Sequence, residues 1–213
     1  WHSGSPMGGL LNLMKGINII VPRNMTNAAG FYNSLMDCDE PALLIEPLNG
    51  YRNKEKLPKN LGEFKFKVGE IEIVNEGTDI TVISYGSTIN IIFEILDDLK
   101  ARNISVELID IQTLIPFDLN KNISKSIKKT NRFLIVDEDV PGGASAFILD
   151  QLLNDQKVYK FLDSSPACLT ASEHRPAYGS DGDYFSKPSA DDIFEKIYSI
   201  MNEYDPVKYR KLL

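Results

Sequence analysis

Short apolar runs alternate with amphipathic stretches along most of this chain. The runs INIIVP (17–22), ALLIEP (42–47), ITVISYG (80–86), VELIDI (106–111) and RFLIVDED (132–139) are all brief and rich in β-branched residues. Runs of this length are typical of strands that are covered on both faces, because a buried helix needs a longer apolar stretch. The pattern predicts an α/β protein built on mostly parallel sheets.

The stretches between these runs carry apolar residues at helical spacing. Leu119, Ile123 and Ile127 recur every four residues, and Asp118 is the expected N-cap of that helix. An earlier helix is expected to be capped by Asn24 or Thr26. Its expected inner face consists of Ala28, Ala29, Tyr32, Leu35 and Met36. Each strand-helix-strand unit should cross over with the right hand.

The chain divides into two α/β units separated by a polar segment. The first unit occupies about the first 47 residues, a polar connecting stretch follows over 48–63, and the second unit begins at the turn formed by Glu76 and Gly77. Within the second unit we expect a late strand over Tyr159 to Leu162. We also expect a final helix with Asp191 and Asp192 near its N-terminus, where carboxylates suit the helix dipole.

Two loops that follow predicted strands contain the residue types that form functional sites. They are QTLIPFD (112–118) and EDVPGGAS (138–145). Parallel α/β sheets place their working groups at the carboxyl ends of the strands, so function is expected there. The paired glycines Gly142 and Gly143 permit close approach of the backbone to a neighbouring element or to a partner chain, and both alternatives remain open.

Composition and charge exclude several classes of function. The 23 basic and 30 acidic residues give a net charge of −7, which argues against a nucleic-acid surface and for a basic or neutral partner. No apolar run approaches the ~20 residues of a membrane span. Cys38 and Cys168 lie far apart without metal-ligand spacing, which favours a reducing cytoplasm. The motifs GxGxxG, GxxxxGK[ST], HExxH and CxxC do not occur.

Several segments occur in a specific order: HSGSP, GINIIVPRN, PALLIEPLNGYR, EGTDITVISYGS, IDIQTLIPFD, KKTNRFLIVDED and GGASA. Together they resemble the β-subunit part of the thiamine-diphosphate-dependent 2-oxoacid dehydrogenases. The segment at 173–189, EHRPAYGSDGDYFSKPS, resembles the branched-chain type found in bacterial enzymes that fuse the α and β parts. The resemblance implies a three-layer αβα fold. Residues 1–69 would end a pyrimidine-binding domain, and residues 70–213 would form a transketolase C-terminal domain.

The resemblance also implies an activity. The complete enzyme would decarboxylate a branched-chain 2-oxo acid, 2-oxoisovalerate, on thiamine diphosphate held with magnesium, and would pass the acyl group to lipoamide. The chain starts WHSGSPMGG without an initiator Met, and we expect a piece of a longer polypeptide. The family's activating glutamate and its GDG…N motif do not occur here, so the chain alone is expected to bind no cofactor and to be inactive.

The resemblance assigns roles to particular residues. His2 would face the thiazolium and move protons during reductive acylation, since an imidazole titrates near neutral pH. The backbone carbonyls of Leu35, Cys38 and Glu40 would hold a potassium ion.

Partners follow from the same resemblance. They would be the α part of the enzyme, a second copy of the chain, and the subunit-binding domain of the lipoyl acyltransferase. Tyr178, Asp181, Asp183 and Tyr184 would form the surface for this acyltransferase domain, since aromatic and acidic side chains suit a basic partner. The alternative is a loop that packs on its own domain.

Other functions remain open at this point. A pyruvate-specific dehydrogenase and a transketolase or deoxyxylulose-phosphate synthase share the C-terminal fold, although the HSGSP start favours the dehydrogenases. A non-catalytic α/β assembly module is the alternative from another class. The activating glutamate and GDG…N motif in the parent gene would distinguish the enzyme from the module.

Overall fold

The computed structural model describes residues 4–56, 58–174 and 182–211, without the side chains of Asn49 and Asp183. The strands in this part of the chain are β1 (Asn18–Ile20), β2 (Ala42–Leu44), β3 (Glu72–Asn75), β4 (Ile80–Ser84), β5 (Val106–Asp110), β6 (Thr113–Ile115), β7 (Phe133–Val136) and β8 (Ala167–Leu169). The α-helices are α1 (Met7–Leu13), α2 (Met25–Leu35), α3 (Thr88–Ala101), α4 (Asn122–Thr130), α5 (Ala144–Asp150), α6 (Gly182–Ser186) and α7 (Ala190–Tyr204). A π-helical turn, Gln151–Asp155, extends α5.

The larger sheet has five strands in the order β3-β5-β4-β7-β8. Strands β4, β5, β7 and β8 are parallel, and β3 runs antiparallel to β5 at one edge. The register places Ile83 of β4 beside Ile109 of β5 and Ile135 of β7. The chain leaves β4 for β5 on one side and then crosses to β7 on the other. The strand order therefore reverses between β4 and β7.

Alternating residues of the central strands form two separate cores. Val82 and its neighbours contact α3 and α7 on one face of the sheet. Ile83 and its neighbours contact α4 and α5 on the other face, where α1 joins the same core. Residues on both faces of β4, β5 and β7 are buried, which explains why these strands are mainly apolar. The predicted three-layer αβα fold is confirmed.

The smaller sheet has three strands in the order β2-β1-β6. Strand β2 is parallel to β1, and β6 is antiparallel to it. Strand β6 lies within QTLIPFD, which the sequence predicted only as a loop. Its backbone pairs with β1 at Ile19↔Ile115 and Ile20↔Thr113, and the Leu114 side chain enters the core. The second unit therefore supplies one strand to the sheet of the first.

The predicted late strand over Tyr159 to Leu162 is wrong. Residues Val158–Phe161 form a 3₁₀ turn in which only Val158 is buried. The backbone of Lys157 is left-handed (φ 54°), which ends the preceding helix and reverses the chain. The strand beside β7 is instead β8, whose three residues are partly buried at the edge of the sheet.

Two predicted helices begin or face differently from expectation. Helix α4 starts at Asn122, yet Asp118 still accepts the N–H groups of Asn122 (2.9 Å) and Ile123 (2.8 Å) across the intervening turn. Leu119 lies in that turn and is 63% exposed, so it is not part of the helix stripe. The carboxylate of Asp118 thus caps the helix from outside it.

Helix α2 is capped by Asn24, whose side chain accepts the Asn27 N–H at 2.8 Å. Its buried residues are Asn27, Ala28, Gly30 and Phe31. Tyr32 and Met36 are exposed, which corrects the predicted inner face. Phe66, after the connecting segment, packs against Phe31 with ring centroids 5.5 Å apart. The side of α2 that carries Phe31 is therefore the buried side.

None of the helices in the described ranges combines the length and apolar character needed to cross a membrane.

Candidate functional site at the carboxyl ends of the central strands

A buried carboxylate joins the ends of β4 and β7. Asp137, directly after β7, accepts hydrogen bonds from the Tyr85 hydroxyl (2.6 Å), the Asp139 N–H (3.0 Å) and the Ser145 N–H (2.6 Å). Burial raises the pKa of Asp137 above its usual range. Burial together with the charge of Asp137 raises the pKa of Tyr85 well above 10.0. The arrangement fixes the loop after β7 to the first turn of α5.

The loop after β7 also binds α1 through a hydrogen bond. Asp139 accepts the Gly8 N–H at 2.8 Å and the Val140 N–H at 2.8 Å. A Cβ atom on Gly8 would lie 2.7 Å from the Gly143 Cα, and one on Gly143 would lie 2.4 Å from the Asp139 Cγ. Glycine at both positions is therefore required for the contact between α1 and α5. Of the two alternatives for the paired glycines, the structure supports packing against a neighbouring element.

The predicted catalytic residue lies just before this anchor. His2 falls outside the described residues, so its role stays a prediction. The described chain resumes at Gly4, and Ser5 Oγ accepts the Met7 N–H at 3.3 Å at the start of α1. The loop after β7 therefore fixes the helix that directly follows the HSGSP segment.

The predicted potassium ligands lie at the end of α2. The Leu35 carbonyl accepts the Cys38 N–H at 3.1 Å, and the Glu40 carboxylate accepts a hydrogen bond from the Asn18 side chain at 3.1 Å. The first contact closes the turn from Leu35 to Cys38, Glu40 lies two residues beyond it, and the ion remains a prediction. Within the described part of the chain, no group of three or more His, Cys, Asp or Glu side chains is arranged to hold a metal.

The predicted acyltransferase surface is described only in part. Tyr178 and Asp181 lie outside the described residues, and only the backbone of Asp183 is described, within α6. The Tyr184 hydroxyl donates to Asp191 of α7 at 2.8 Å, which raises the pKa of Tyr184. Its half-exposed ring contacts Phe185 edge-on. Tyr184 is thus held against its own domain and still presents one face to solvent.

Sequence reasoning missed an ion network that joins the two sheets. Arg23, after β1, contacts Asp110 at 2.9 Å and Glu72 at 2.6 Å through the same nitrogen. Asp110 is fully buried, and burial raises its pKa to about 7 although Arg23 lowers it. Close by, the Asn27 side chain donates to Gln112 at 2.9 Å. The sequence contained one indication of this network. Asp110 ends a buried strand, and a buried acid requires a partner.

The larger sheet is doubly wound, and proteins of this α/β class form their sites at the carboxyl ends of the strands. The family described as "Transketolase, C-terminal domain" matches residues 69–187, more than half of the chain. The chain belongs to this family.

Curated relatives are β subunits of dehydrogenase complexes. One is "Pyruvate dehydrogenase E1 component subunit beta" of Acholeplasma laidlawii, 28% identical over 79% of this chain and 51% of the relative. Another is "2-oxoisovalerate dehydrogenase subunit beta, mitochondrial" of Chaetomium thermophilum, 31% identical over 78% of this chain and 35% of the relative. The chain therefore spans about half of one relative and a third of the other.

A solved structure supports the fold. A chain described as "Split gene transketolase, inactive beta4 tetramer" superposes with a TM-score of 0.70 at 15% identity. The superposition covers 94% of this chain and 62% of that one. At this identity the likeness concerns the fold alone.

Proposed function

We propose that this chain is the carboxyl-terminal part of the β portion of a thiamine-diphosphate-dependent 2-oxoacid dehydrogenase. The observation that carries the proposal is the match to two such β subunits over more than three quarters of the chain. Within the proposal, residues 1–69 complete a pyrimidine-binding domain and residues 70–213 form the C-terminal domain. The α part of the enzyme and a second copy of the chain are the proposed partners.

His2 is the proposed catalytic residue of this chain. Its imidazole would hold and release a proton beside the reacting carbon during transfer to the lipoyl group. The observation that supports this role is the position of α1. This helix begins five residues after His2, and the hydrogen bond from the Gly8 N–H to Asp139 fixes it. A rigid helix beside the HSGSP segment would limit the positions that His2 can reach.

The described residues are suited to only part of the cofactor. Bound thiamine diphosphate would supply the carbanion chemistry, and its diphosphate would need a magnesium site. The described residues provide no acidic cluster for that ion. They therefore do not fit the diphosphate end of the cofactor, and the proposal assigns it to the partner domain. Leu35, Cys38 and Glu40 are kept as the proposed carbonyl ligands of a potassium ion.

Two substrates are supported by the relatives. The segment at 173–189 favours 2-oxoisovalerate, and one relative carries that name. Another relative is named for pyruvate, which makes pyruvate the second candidate. The loop containing Tyr178, Asp181, Asp183 and Tyr184 is proposed to bind the acyltransferase, with an affinity that falls as salt rises.

The test uses the intact enzyme that contains this chain. Decarboxylation would be followed by dye reduction with 2-oxoisovalerate and with pyruvate, and acyl transfer by acylation of a lipoyl domain. His2→Asn should lower lipoyl acylation by about 10²–10⁴-fold, the range for general acid–base catalysis, and affect dye reduction less. The control is His174→Asn, which alters the other histidine of the chain.

The proposal fails if neither 2-oxo acid supports dye reduction. It also fails in its catalytic assignment if His2→Asn and His174→Asn acylate the lipoyl domain equally well. A preference for pyruvate would retain the enzyme class and overturn the branched-chain assignment.

A further inference from the structure

A cavity of about 420 Å³ lies at the carboxyl edge of the larger sheet. Ser87 and Thr88, which follow β4, and Glu138, which follows β7, line it together with Arg23 and Lys187. It therefore opens where the strand order reverses between β4 and β7. In doubly wound sheets this position is the usual place for a ligand. It is separate from the contact between Asp139 and Gly8 of α1.

The wall of this cavity at the start of α3 contains hydrogen-bond donors without partners. Gly86, with φ +60°, turns the chain sharply from β4 into α3. Ser87 occupies the N-cap position, yet its side chain makes no capping hydrogen bond. Within the described part of the chain, the N–H groups of Ser87 and Thr88 make no hydrogen bond, since the first bonded amides are those of Ile89 and Asn90.

Thr88 is the second, independent observation. Its side chain lines the cavity and only 3% of the residue is exposed, yet its hydroxyl has no hydrogen-bond partner among the described residues. A hydroxyl that lines a cavity without a protein partner can bind water or a ligand there. Two amides and two hydroxyls, those of Ser87 and Thr88, thus converge at the positive end of a 14-residue helix.

The charged groups that line the cavity favour a ligand with a single negative charge. Arg23 is paired with Asp110 and Glu72, and Lys187 contacts Glu138 at 3.4 Å. These cations are therefore balanced by acids. The uncompensated positive potential comes from α3, whose first turn contains no acidic residue and which carries about half a unit charge at its N-terminus. A dianion would meet the carboxylates of Glu138 and Glu94 as well.

The neighbouring helix terminus is already satisfied. Ser189 and Asp192 form a capping box at the start of α7, on the opposite wall of the cavity. The remaining lining includes the polar residues Asn53 and Asn90 and an apolar part formed by Pro47, Ile91, Pro188 and Tyr184. A ligand with one anionic end and a small hydrocarbon end matches both parts of the cavity.

We infer that this cavity binds a small organic carboxylate, with the carboxylate on the amides and hydroxyls of Ser87 and Thr88 and the hydrocarbon group against Ile91 and Pro188. The inference is independent of the proposed enzymatic activity. It rests on this chain alone, and its failure would leave the proposed function untouched.

The experiment titrates the full chain with sodium isobutyrate and follows the amide resonances of Ser87 and Thr88 by NMR. Isobutyramide, which has the same shape without charge, and inorganic phosphate are titrated in parallel. Isobutyrate should shift both amides with a Kd of roughly millimolar size, as expected for a ligand of few atoms. Isobutyramide should shift neither, and phosphate should bind more weakly than isobutyrate.

Thr88→Val removes only the hydroxyl and conserves the shape of the side chain. Because that hydroxyl has no partner, the variant should be as stable as the parent in thermal unfolding. It should bind isobutyrate about tenfold more weakly, the effect expected for one lost hydrogen bond to a charged group. Thr78→Val, at an exposed threonine outside the cavity, should change neither property.

Ser87→Asp provides a second variant, because it places a fixed carboxylate at the same helix terminus. It should raise the melting temperature and abolish isobutyrate binding. Absence of shifts at about 50 mM isobutyrate, far above a millimolar Kd, would overturn the inference. So would equal binding of isobutyramide, or unchanged binding in Thr88→Val. Tighter binding of phosphate than of isobutyrate would overturn the assignment of a carboxylate.

Discussion

Replacing Arg23 with methionine should expose the electrostatic cost of burying Asp110. The substitution conserves side-chain length and removes the cation that contacts Asp110 at 2.9 Å. Asp110 is fully buried, and breaking a buried ion pair on one side typically costs ~3–5 kcal/mol. We expect a loss of about 3 kcal/mol in the free energy of unfolding at about pH 8, where the Asp110 carboxylate is ionised.

The loss should shrink at lower pH. The pKa of Asp110 in the folded protein is about 7, above its unfolded value of 3.8, so the native state binds this proton more tightly. Stability from this group is therefore present at low pH and declines as the pH rises from about 4 to about 7. Near pH 5.5 the carboxyl is mostly neutral, and removal of Arg23 should cost about 1 kcal/mol less than at pH 8, because pH 8 lies only about one unit above the pKa.

Urea unfolding followed by far-ultraviolet circular dichroism measures both values. Arg23→Lys, which keeps the charge, is the matched control and should lose less stability at about pH 8. In an Asp110→Asn background, the effect of Arg23→Met should no longer depend on pH between about 5.5 and 8. An equal loss in the original chain at the two pH values would refute the reasoning, since the cost would then be one of packing.

Two further predictions, one on glycine substitutions and one on a helix cap, use the same unfolding assay. A Cβ atom on Gly77 would lie 2.1 Å from the carbonyl carbon of Val106, so Gly77→Ala should cost more than about 2 kcal/mol. Gly9→Ala meets open space within α1 and should gain up to about 1 kcal/mol, and similar stabilities for the two variants would contradict this contrast. Ser189→Ala removes the capping box of α7 and should cost about 1 kcal/mol. Ser199→Ala, at an exposed position inside α7, should cost nothing, and a larger loss there would argue against the cap.

The central strands could be predicted because their sequences are unambiguous. Strands β5 and β7 are buried on both faces, so most of their positions hold apolar or β-branched residues, and Glu107 and Asp110 of β5 are the exceptions. The Asn24 cap was predictable as well, since a short polar side chain there satisfies an amide of its own helix. Such features depend on residues that are close in sequence.

The features that escaped prediction depend on distant partners. Strand β6 is a strand only because β1 lies beside it, about 90 residues earlier in the chain. Leu119 fits a helical spacing, but the left-handed backbone of Asp118 and Lys121 places it in a turn. The missing cap of α3 could not be predicted either, because a serine at the N-cap position, here Ser87, is expected to accept a hydrogen bond from its own helix.

The position of β6 bears on how this protein can be dissected. A shortened chain starting at residue 70 would retain Thr113–Ile115 but lose β1, the strand with which its backbone pairs. The uncovered edge, with Leu114 beside it, would be available to pair with other molecules, a common origin of aggregation. Grafting the C-terminal unit into another scaffold would consequently require a substitute strand along with it.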